Sequence, residues 1–201
     1  MSAAEREVGE AIIAAAAALI GERGYKATTT RAIAERAGVN EVTIFRRFGS
    51  KQGVLLALGE SWAAESAGYV VSSIPERADT RATLEALARI EVAHAQRFGV
   101  TAMRLALDAP SNPEVAAVMS GGPAQNLAGL TAYLAERQKA GDLRGDIDPS
   151  AMTEAFFALT SQIVMSRQVL GPVASYELPV DDVAGQLFEL FMRGVSNGEG
   201  S

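Results

Sequence analysis

Within one short segment, four side chains have the chemistry needed to recognise DNA bases. They are Val42, Thr43, Arg46 and Arg47. An arginine guanidinium can donate two hydrogen bonds to a guanine edge, and the methyl groups of valine and threonine can contact the thymine methyl group. The same residue types also occur on solvated helix faces, so their meaning depends on the element that carries them.

That element is predicted to be a short amphipathic helix. At about 100° per residue, Ile44 and Phe48 lie together on one side and Arg46 lies on the other. The apolar side can pack on Ile33 and Ala34 of the preceding segment. We therefore expect Arg46 to face outward as the main base contact.

Capping residues delimit three helices before residue 50. Gly24 ends an alanine-rich helix over residues 3–22, and Gly38 ends a shorter one over residues 31–37. Asn40 is a suitable N-cap for the third helix, over residues 41–48, which Gly49 ends. Two short helices joined by a tight glycine turn, the second placed to enter a major groove, make a helix-turn-helix.

The start of the fourth helix suggests a phosphate site. Ser50 can cap this helix. Lys51 lies in its first turn, where the helix dipole disfavours a cation. A phosphate bound to the N–H groups of residues 50–53 and neutralised by Lys51 would remove this conflict. Thr29 and Thr30, at the start of the second helix, could hold a backbone phosphate in the same way.

The charge distribution supports a nucleic-acid partner, although the net charge of the 201 residues is −6. Residues 26–51 contain six basic and two acidic side chains, whereas residues 61–201 contain 10 basic and 17 acidic ones. A small basic module is thus joined to an acidic body.

Composition argues against an enzyme. Cysteine is absent and His94 is the single histidine, which excludes disulfides, thiolate metal sites and multi-histidine metal sites and leaves few routes to a histidine relay. We expect no catalytic residues, no metal and no cofactor. The absence of cysteine also permits a reducing cytoplasm, where we expect the protein to act.

The apolar run over residues 11–20 is interpreted as an ordinary buried helix. Glu5, Glu7 and Glu10 precede it where a signal peptide would carry positive charge. Ten residues are also too few to span a bilayer. We expect no membrane partner.

The rest of the chain also has helical spacing, with no sustained alternation of period two. Pro75 ends a fourth helix that begins at Lys51 and runs toward Ser73. Further helices are predicted near residues 79–97, 100–108, 113–140 (with a potential break at residues 121–123), 150–169 and 180–195. The predicted fold is all-α, with about nine helices.

Two stretches resemble the DNA-binding signature of the tetracycline-repressor (TetR) family of bacterial regulators. They are GYKATTTRAIAERAGV at residues 24–39 and VTIFRRFGSK at residues 42–51, about a quarter of the chain. The resemblance implies phosphate contacts by Thr30, Phe45 and Lys51. It implies base contacts by Arg31, Glu41, Val42, Thr43, Arg46 and Arg47.

Phe45 stands where the family usually has tyrosine, so we expect it to pack against sugar or backbone without a hydrogen bond. Glu41 could accept from cytosine or pair with an arginine.

The resemblance also implies a helical C-terminal domain that binds an effector and dimerises. We expect a DNA-binding domain over residues 1–50 and an effector-binding and dimerisation domain over residues 51–201, connected by the helix at residues 51–74. The candidate effector residues are His94, Phe98, Met103, Arg104, Gln125, Phe157, Gln162 and Met165; each could instead be ordinary core or surface. The candidate dimer residues are Met152, Phe156, Leu159, Ile163, Val183, Leu187, Leu190 and Phe191.

Together these features predict a ligand-responsive repressor. A homodimer would bind a pseudo-palindromic operator in double-stranded DNA, and a largely apolar small molecule would release it. Two alternatives remain open at this point: a helical enzyme or small-molecule carrier with an incidental helix-turn-helix, and a DNA-binding regulator without an effector.

Overall fold

The computed structural model describes residues 3–67, 79–120, 122–171 and 176–197, with side chains for all of these except 65–67 and 122–126. The helices, in chain order, are α1 (Ala3–Ala27), α2 (Thr30–Ala37), α3 (Glu41–Phe48), α4 (Lys51–Ala67), α5 (Thr80–Asp108), α6 (Pro113–Met119), α7 (Gly122–Ala140), α8 (Pro149–Phe157), α9 (Ile163–Leu170) and α10 (Val180–Val195). A 3₁₀ turn, Ala109–Ser111, precedes α6, and a π-helical turn, Ala158–Gln162, joins α8 to α9. Within the described ranges, the extended pairing consists of one isolated bridge between Leu143 and Ser196.

Two compact units make up the chain. The first unit comprises Met1–Ala67 and Val100–Pro123, and the second unit comprises Gly68–Gly99 and Ala124–Ser201. This division follows packing alone. The functional boundary at residue 50 stays a prediction.

The core of the first unit positions α3. Ile44 is 0% exposed and packs with Ile33 and Ala34 of α2, as predicted, and Phe48 packs against the same cluster. The other buried members of this cluster are Ile12, Ala15, Ala16, Leu19 and Val54. Replacing a buried isoleucine such as Ile44 with alanine costs about 2–5 kcal/mol, so this packing sets which face of α3 meets solvent.

The caps of α2 and α3 agree with the sequence predictions. Gly38 is left-handed, with φ of 68°, and its N–H donates back into the last turn of α2. The side chain of Asn40 accepts from the N–H of Val42 at 2.9 Å. The bounds of α3 are the predicted ones, and α1 is interrupted at Gly24, whose φ of 80° is not helical.

A second apolar cluster of the first unit joins α1 and α4 to the end of α5 and to α6. Its buried members are Ala17, Ile20, Tyr25, Leu55, Leu58, Leu105 and Val115. The Thr101 hydroxyl donates to the carbonyl of Ala17 at 3.0 Å and satisfies a polar group inside this packing. Helix α1 therefore shares a core with segments that lie 80 or more residues further along the chain.

The second unit has its main core among α5, α7, α8 and α10. The buried side chains are Leu84, Leu87, Ala88, Leu130, Leu134, Leu143, Met152, Phe156, Phe188, Phe191, Met192 and Val195. The N–H of Arg144 donates to the carbonyl of Val195 at 2.9 Å, beside the bridge between Leu143 and Ser196. The turn after α7 is thereby joined to the end of α10.

The structure tests two predicted breaks between helices. A break near residues 98–99 was expected, but α5 continues through Gly99. A Cβ at Gly99 would lie 2.6 Å from Cγ of Met165, so this glycine permits a close approach of α5 and α9 and does not end a helix. A potential break was also expected at residues 121–123; α6 and α7 are indeed separate, but α7 already begins at Gly122, so Pro123 lies inside a helix. Ser73 and Pro75, expected near the end of α4, lie outside the described residues.

None of the described helices is long and apolar enough to cross a membrane.

Candidate nucleic-acid interface

The outward face of α3 carries two apolar side chains and one cation. Val42 is 69% exposed, Phe45 is 50% exposed, and Arg46 is also exposed, while Ile44 is buried. Because residues three and four apart lie on one side of a helix, Val42, Phe45 and Arg46 share a face. Thr43 is half-buried at the edge of that face. The predicted inward and outward sides of this helix are confirmed.

Arg47 is turned toward α1. Its Nη2 donates to the backbone carbonyl of Glu5. The same nitrogen lies 3.3 Å from the position that a Cβ of Gly9 would occupy. This guanidinium therefore contacts the N-terminal part of α1, and a base contact would require it to leave that position.

Three other predicted contact residues are bonded within the helix-turn-helix. The Thr30 hydroxyl donates to the carboxylate of Glu41 at 2.6 Å and links the first turns of α2 and α3. Arg31 forms an ion pair with Glu35 one turn later, at 3.0 Å, and both side chains are exposed. The Thr30 hydrogen bond fixes the carboxylate of Glu41. The exposed ion pair contributes little to the stability of the fold, so Arg31 can exchange Glu35 for a phosphate or a base.

The helix starts that were predicted to bind phosphate are partly capped by the protein itself. The hydroxyl of Thr29 accepts from the N–H of Ala32 at 3.2 Å, and that of Ser50 accepts from the N–H of Gly53 at 3.1 Å. Each cap satisfies one of the unpaired N–H groups that begin a helix. The capping role expected for Ser50 is confirmed.

Lys51 binds the end of α1. Its Nζ donates to the carbonyls of Tyr25 and Thr28, each at 3.0 Å, and lies 4.2 Å from the centroid of the Tyr25 ring. Burial lowers the pKa of Lys51. Its position in the first turn of α4 is unfavourable, but the carbonyl groups at the end of α1 offset that cost. The protein itself therefore offsets the unfavourable position of Lys51, and the phosphate contact stays a prediction.

Tyr25 is the centre of a polar network that sequence reasoning missed. Its hydroxyl donates to the carboxylate of Glu114 at 2.7 Å, and its backbone N–H donates to Asp108 at 2.8 Å. Burial and the neighbouring Glu114 raise the pKa of the Tyr25 phenol. The partners are more than 80 residues apart in the chain, so no local pattern could have identified them.

The eight candidate effector residues are divided between the two units. Met103 and Arg104 belong to the first unit; His94, Phe98, Phe157, Gln162 and Met165 belong to the second. The side chain of Gln125 lies outside those described. Within the second unit, the rings of His94 and Phe98 are 5.1 Å apart, while Gln162 is exposed. The effector roles of these residues stay predictions.

A cleft of about 430 Å³ lies between α5 and α10 in the second unit. Ala88, Val92, Ala184 and Phe188 are its buried apolar residues. None of the candidate effector residues whose side chains are described lines it, although His94 is on the same helix. Sequence reasoning had no signal for this cleft, because α5 and α10 are far apart in the chain.

A half-buried carboxylate on α5 was also missed. Glu91 on α5 accepts from the Ser161 hydroxyl at 3.0 Å, and Ser161 belongs to the π-helical turn. Burial raises the pKa of Glu91, although the bond from Ser161 acts in the opposite direction. A carboxyl of this kind can accept or donate a hydrogen bond according to its protonation.

The candidate dimer residues separate into core and surface. Met152, Phe156 and Phe191 are buried in the core of their own unit, and their role at a dimer interface stays a prediction. Leu190 is 61% exposed on α10. The remaining candidates, Leu159, Ile163, Val183 and Leu187, are half-buried.

Comparison with known proteins places this geometry in context. Residues 12–58, which include α2, α3 and the start of α4, match the family model described as bacterial regulatory proteins, tetR family. The HTH-type transcriptional regulator YvkB of Bacillus subtilis (strain 168) is 51% identical over 53 residues, 26% of this chain and 28% of that protein. The HTH-type transcriptional repressor KstR2 of Rhodococcus jostii (strain RHA1) is 36% identical over 72 residues, 36% of this chain and 35% of that protein. The chain thus matches no more than about a third of the length of either relative.

Solved structures share the fold over nearly the whole chain. The transcriptional regulator FadR from Bacillus subtilis, in complex with stearoyl-CoA, gives a TM-score of 0.73 at 21% identity and covers 92% of this chain and 98% of that one. AibR, in complex with isovaleryl coenzyme A and operator DNA, gives 0.71 at 19% identity, with 91% and 97% covered. The all-α fold with an N-terminal helix-turn-helix and a helical C-terminal part is thereby confirmed.

Proposed function

Because residues 12–58 match the family model described as bacterial regulatory proteins, tetR family, we propose that the chain is a homodimeric transcriptional repressor that a small-molecule effector releases from its operator. The observation that carries this proposal is the outward face of α3. Val42, Phe45 and Arg46 are exposed there within the matched segment, opposite a buried Ile44. A surface of this composition suits a major groove.

Two copies of α3 would bind one operator. In a symmetric dimer the two recognition helices meet half-sites one helical turn apart, about 34–36 Å, and the operator is therefore pseudo-palindromic. Leu190, with the half-buried Leu187 and Val183 on the same helix, is the surface that we assign to the partner subunit. Binding to chromosomal DNA would place the protein in the cytoplasm.

The proposed DNA contacts fall into two groups. Val42, Thr43, Phe45 and Arg46 need no rearrangement of the described structure. Thr30, Arg31, Glu41 and Arg47 would first exchange a bond within the protein for one to DNA. Lys51 uses two of its three N–H donors on the carbonyls at the end of α1, which leaves one for a phosphate. Thr29 accepts in its cap and retains its own hydroxyl proton as a donor.

The effector is proposed to bind the second unit. FadR and AibR are described with stearoyl-CoA and isovaleryl coenzyme A, and their acyl chains would satisfy the expectation of an apolar group. Acyl-CoA thioesters are therefore the first class to test. An effector would lower DNA affinity by the ratio of its affinities for the two conformations of the protein.

The experiment begins with selection of bound duplexes from a random-sequence library by the purified chain. Mobility shifts on the selected duplex are then measured over a range of salt concentrations, with and without acyl-CoA of several chain lengths. We expect a sequence-specific complex that weakens with salt and dissociates with one acyl-CoA class. Absence of any sequence-specific, salt-sensitive complex would overturn the proposal. A complex indifferent to every acyl-CoA would reject this effector class.

A further inference from the structure

The base-reading surface of α3 is smaller than the sequence suggests. Of its predicted base contacts, Glu41 is held by Thr30 and Arg47 by the carbonyl of Glu5. Arg46 has no hydrogen-bond or ion-pair partner within the described part of the chain. Of the two arginines of α3, Arg46 is thus the one that can meet DNA without first breaking a contact.

Val42 lies at the centre of this surface. At about 100° per residue, Phe45 precedes Val42 by about 60° around the helix and Arg46 follows it by about 40°. The buried Ile44 lies about 160° away, almost directly opposite. Val42 is also the most exposed of the large apolar side chains of α3, at 69%. A helix that enters the groove with Ile44 at its back therefore presents Val42 deepest.

We infer that Val42 reads a pyrimidine 5-methyl group, that of thymine, next to the base pair contacted by Arg46. This inference rests on the proposed function and specifies its DNA substrate. Each half-site would contain a thymine whose methyl group packs on the Val42 isopropyl group, adjacent to a guanine that accepts from Arg46.

The chemistry of the groove favours this assignment. The thymine methyl is the apolar group that a base presents in the major groove. An exposed valine offers no hydrogen bond, so it gains affinity only by removing an apolar surface from water. Its backbone N–H is already bonded to the side chain of Asn40. Phe45, on the other flank, is large enough to pack on the adjoining sugar.

The test removes the methyl group without changing any hydrogen bond of the base pair. Each thymine of the selected duplex is replaced in turn by uracil, symmetrically in both half-sites, and the dissociation constant is measured. Burial of one methyl group is worth about a fourfold change in affinity, so we expect one position to weaken binding about fourfold per half-site. Uracil at the other positions should have little effect.

The same duplexes are then measured with Val42→Ala. At the responsive position, the ratio of uracil to thymine dissociation constants should fall close to one, because the valine methyl groups that pack on the base are removed. Leu107→Ala is the matched control: Leu107 is 70% exposed in the same unit but outside α3, and this variant should keep the wild-type ratio. Circular dichroism checks that both variants are folded.

The outcomes separate this inference from the function on which it rests. Specific binding that ignores uracil at every position would overturn the methyl-reading role alone. A response to uracil that survives Val42→Ala would assign the methyl contact to another side chain and also overturn it. Loss of all sequence-specific binding by the wild-type protein would overturn the proposed function as well.

Discussion

The ammonium of Lys51 donates to the backbone carbonyl of Tyr25 at 3.0 Å and lies over the ring of the same residue, 4.2 Å from its centroid. The first turn of α4 is thereby fastened to the end of α1. Lys51→Met keeps the aliphatic stem and removes two charge-assisted bonds, so it should lower the free energy of unfolding by about 1–3 kcal/mol. Urea denaturation measures this. Lys26→Met, at an exposed lysine of α1, is the control and should have little effect.

A separate measurement tests the proposed phosphate interaction of Lys51. If its ammonium neutralises one phosphate in each subunit, Lys51→Met should reduce the slope of log affinity against log salt by about one unit per subunit. An unchanged slope together with lower stability would leave Lys51 with a purely structural role.

The Tyr25 phenol should make the protein sensitive to alkali. Its pKa is raised in the folded state above the value of about 10 in an unfolded chain. The stabilisation by the neutral phenol is complete below that unfolded value and is lost as the pH rises toward the folded one. In Tyr25→Phe this alkaline loss should be smaller, as measured by urea unfolding between pH 8 and pH 11. An unchanged pH profile in the variant would contradict the burial of this phenol.

Glu91 gives a pH effect in a lower range. Its folded pKa is raised by burial above the unfolded value of about 4.3, so its favourable contribution is present below that value and is lost as the pH rises through the folded pKa. Glu91→Gln keeps an acceptor for Ser161 and removes the charge. The variant should therefore gain thermal stability relative to wild type as the pH increases from 4 to 8, whereas the exposed control Glu136→Gln should not.

Arg46 and Arg47 are adjacent but should behave differently. Arg46→Ala should weaken specific DNA binding by about 1–3 kcal/mol and relax selectivity at one base pair, with the thermal midpoint unchanged. Arg47→Ala removes the hydrogen bond to the carbonyl of Glu5 and should lower the thermal midpoint. Mobility shifts and calorimetry on both variants check this pair. The assignment fails if the stability loss appears in Arg46→Ala instead.

Leu190 tests the proposed partner surface. A charge at an apolar position that becomes buried on association is costly, so Leu190→Glu should convert the dimer to monomers in sedimentation velocity. Leu107→Glu introduces the same charge at a similarly exposed leucine and should remain dimeric. If the first variant also stays dimeric, the interface lies elsewhere.

Local sequence signals predicted the helix-turn-helix well because short-range physics fixes it. Asn40 and Gly38 act on their own neighbours in the chain, and the separation of Ile44 from Arg46 follows from helical periodicity alone. The bounds of α3 and its outward face could therefore be predicted without knowledge of the remaining chain.

Side-chain partners could not be predicted in the same way. The carbonyls that hold Lys51 come from another helix, and Glu114 approaches Tyr25 from 89 residues away. Lys51 and Arg47 were predicted to contact DNA because both are cationic. Tertiary contacts instead provide each of them with a backbone carbonyl acceptor inside the protein. The predicted helix break at Gly99 was wrong for a related reason. This glycine lies within an uninterrupted α5, where the absence of a side chain leaves room for Met165 of α9.

The buried stripe of α8 and α9 departs from the spacing of a regular α-helix, because a π-helical turn lies between the two helices. A regular helix would place Met152, Phe156, Leu159 and Ile163 along one stripe. The buried side chains after Phe156 are instead Thr160 and Val164, at a spacing of four. In an α-helix that spacing drifts by about 40° per step, and the π-helical turn, with more residues per turn, corrects the drift.

That turn also affects which changes of length the helix can tolerate. Residues 158–162 hold more chain per turn than an α-helix does, so loss of one residue there would let the backbone relax into ordinary helix with the flanking halves still directed at their present neighbours. The same loss within α8 would rotate everything downstream by about 100°. Shortened homologues, if they occur, should therefore have lost their residue between Ala158 and Gln162.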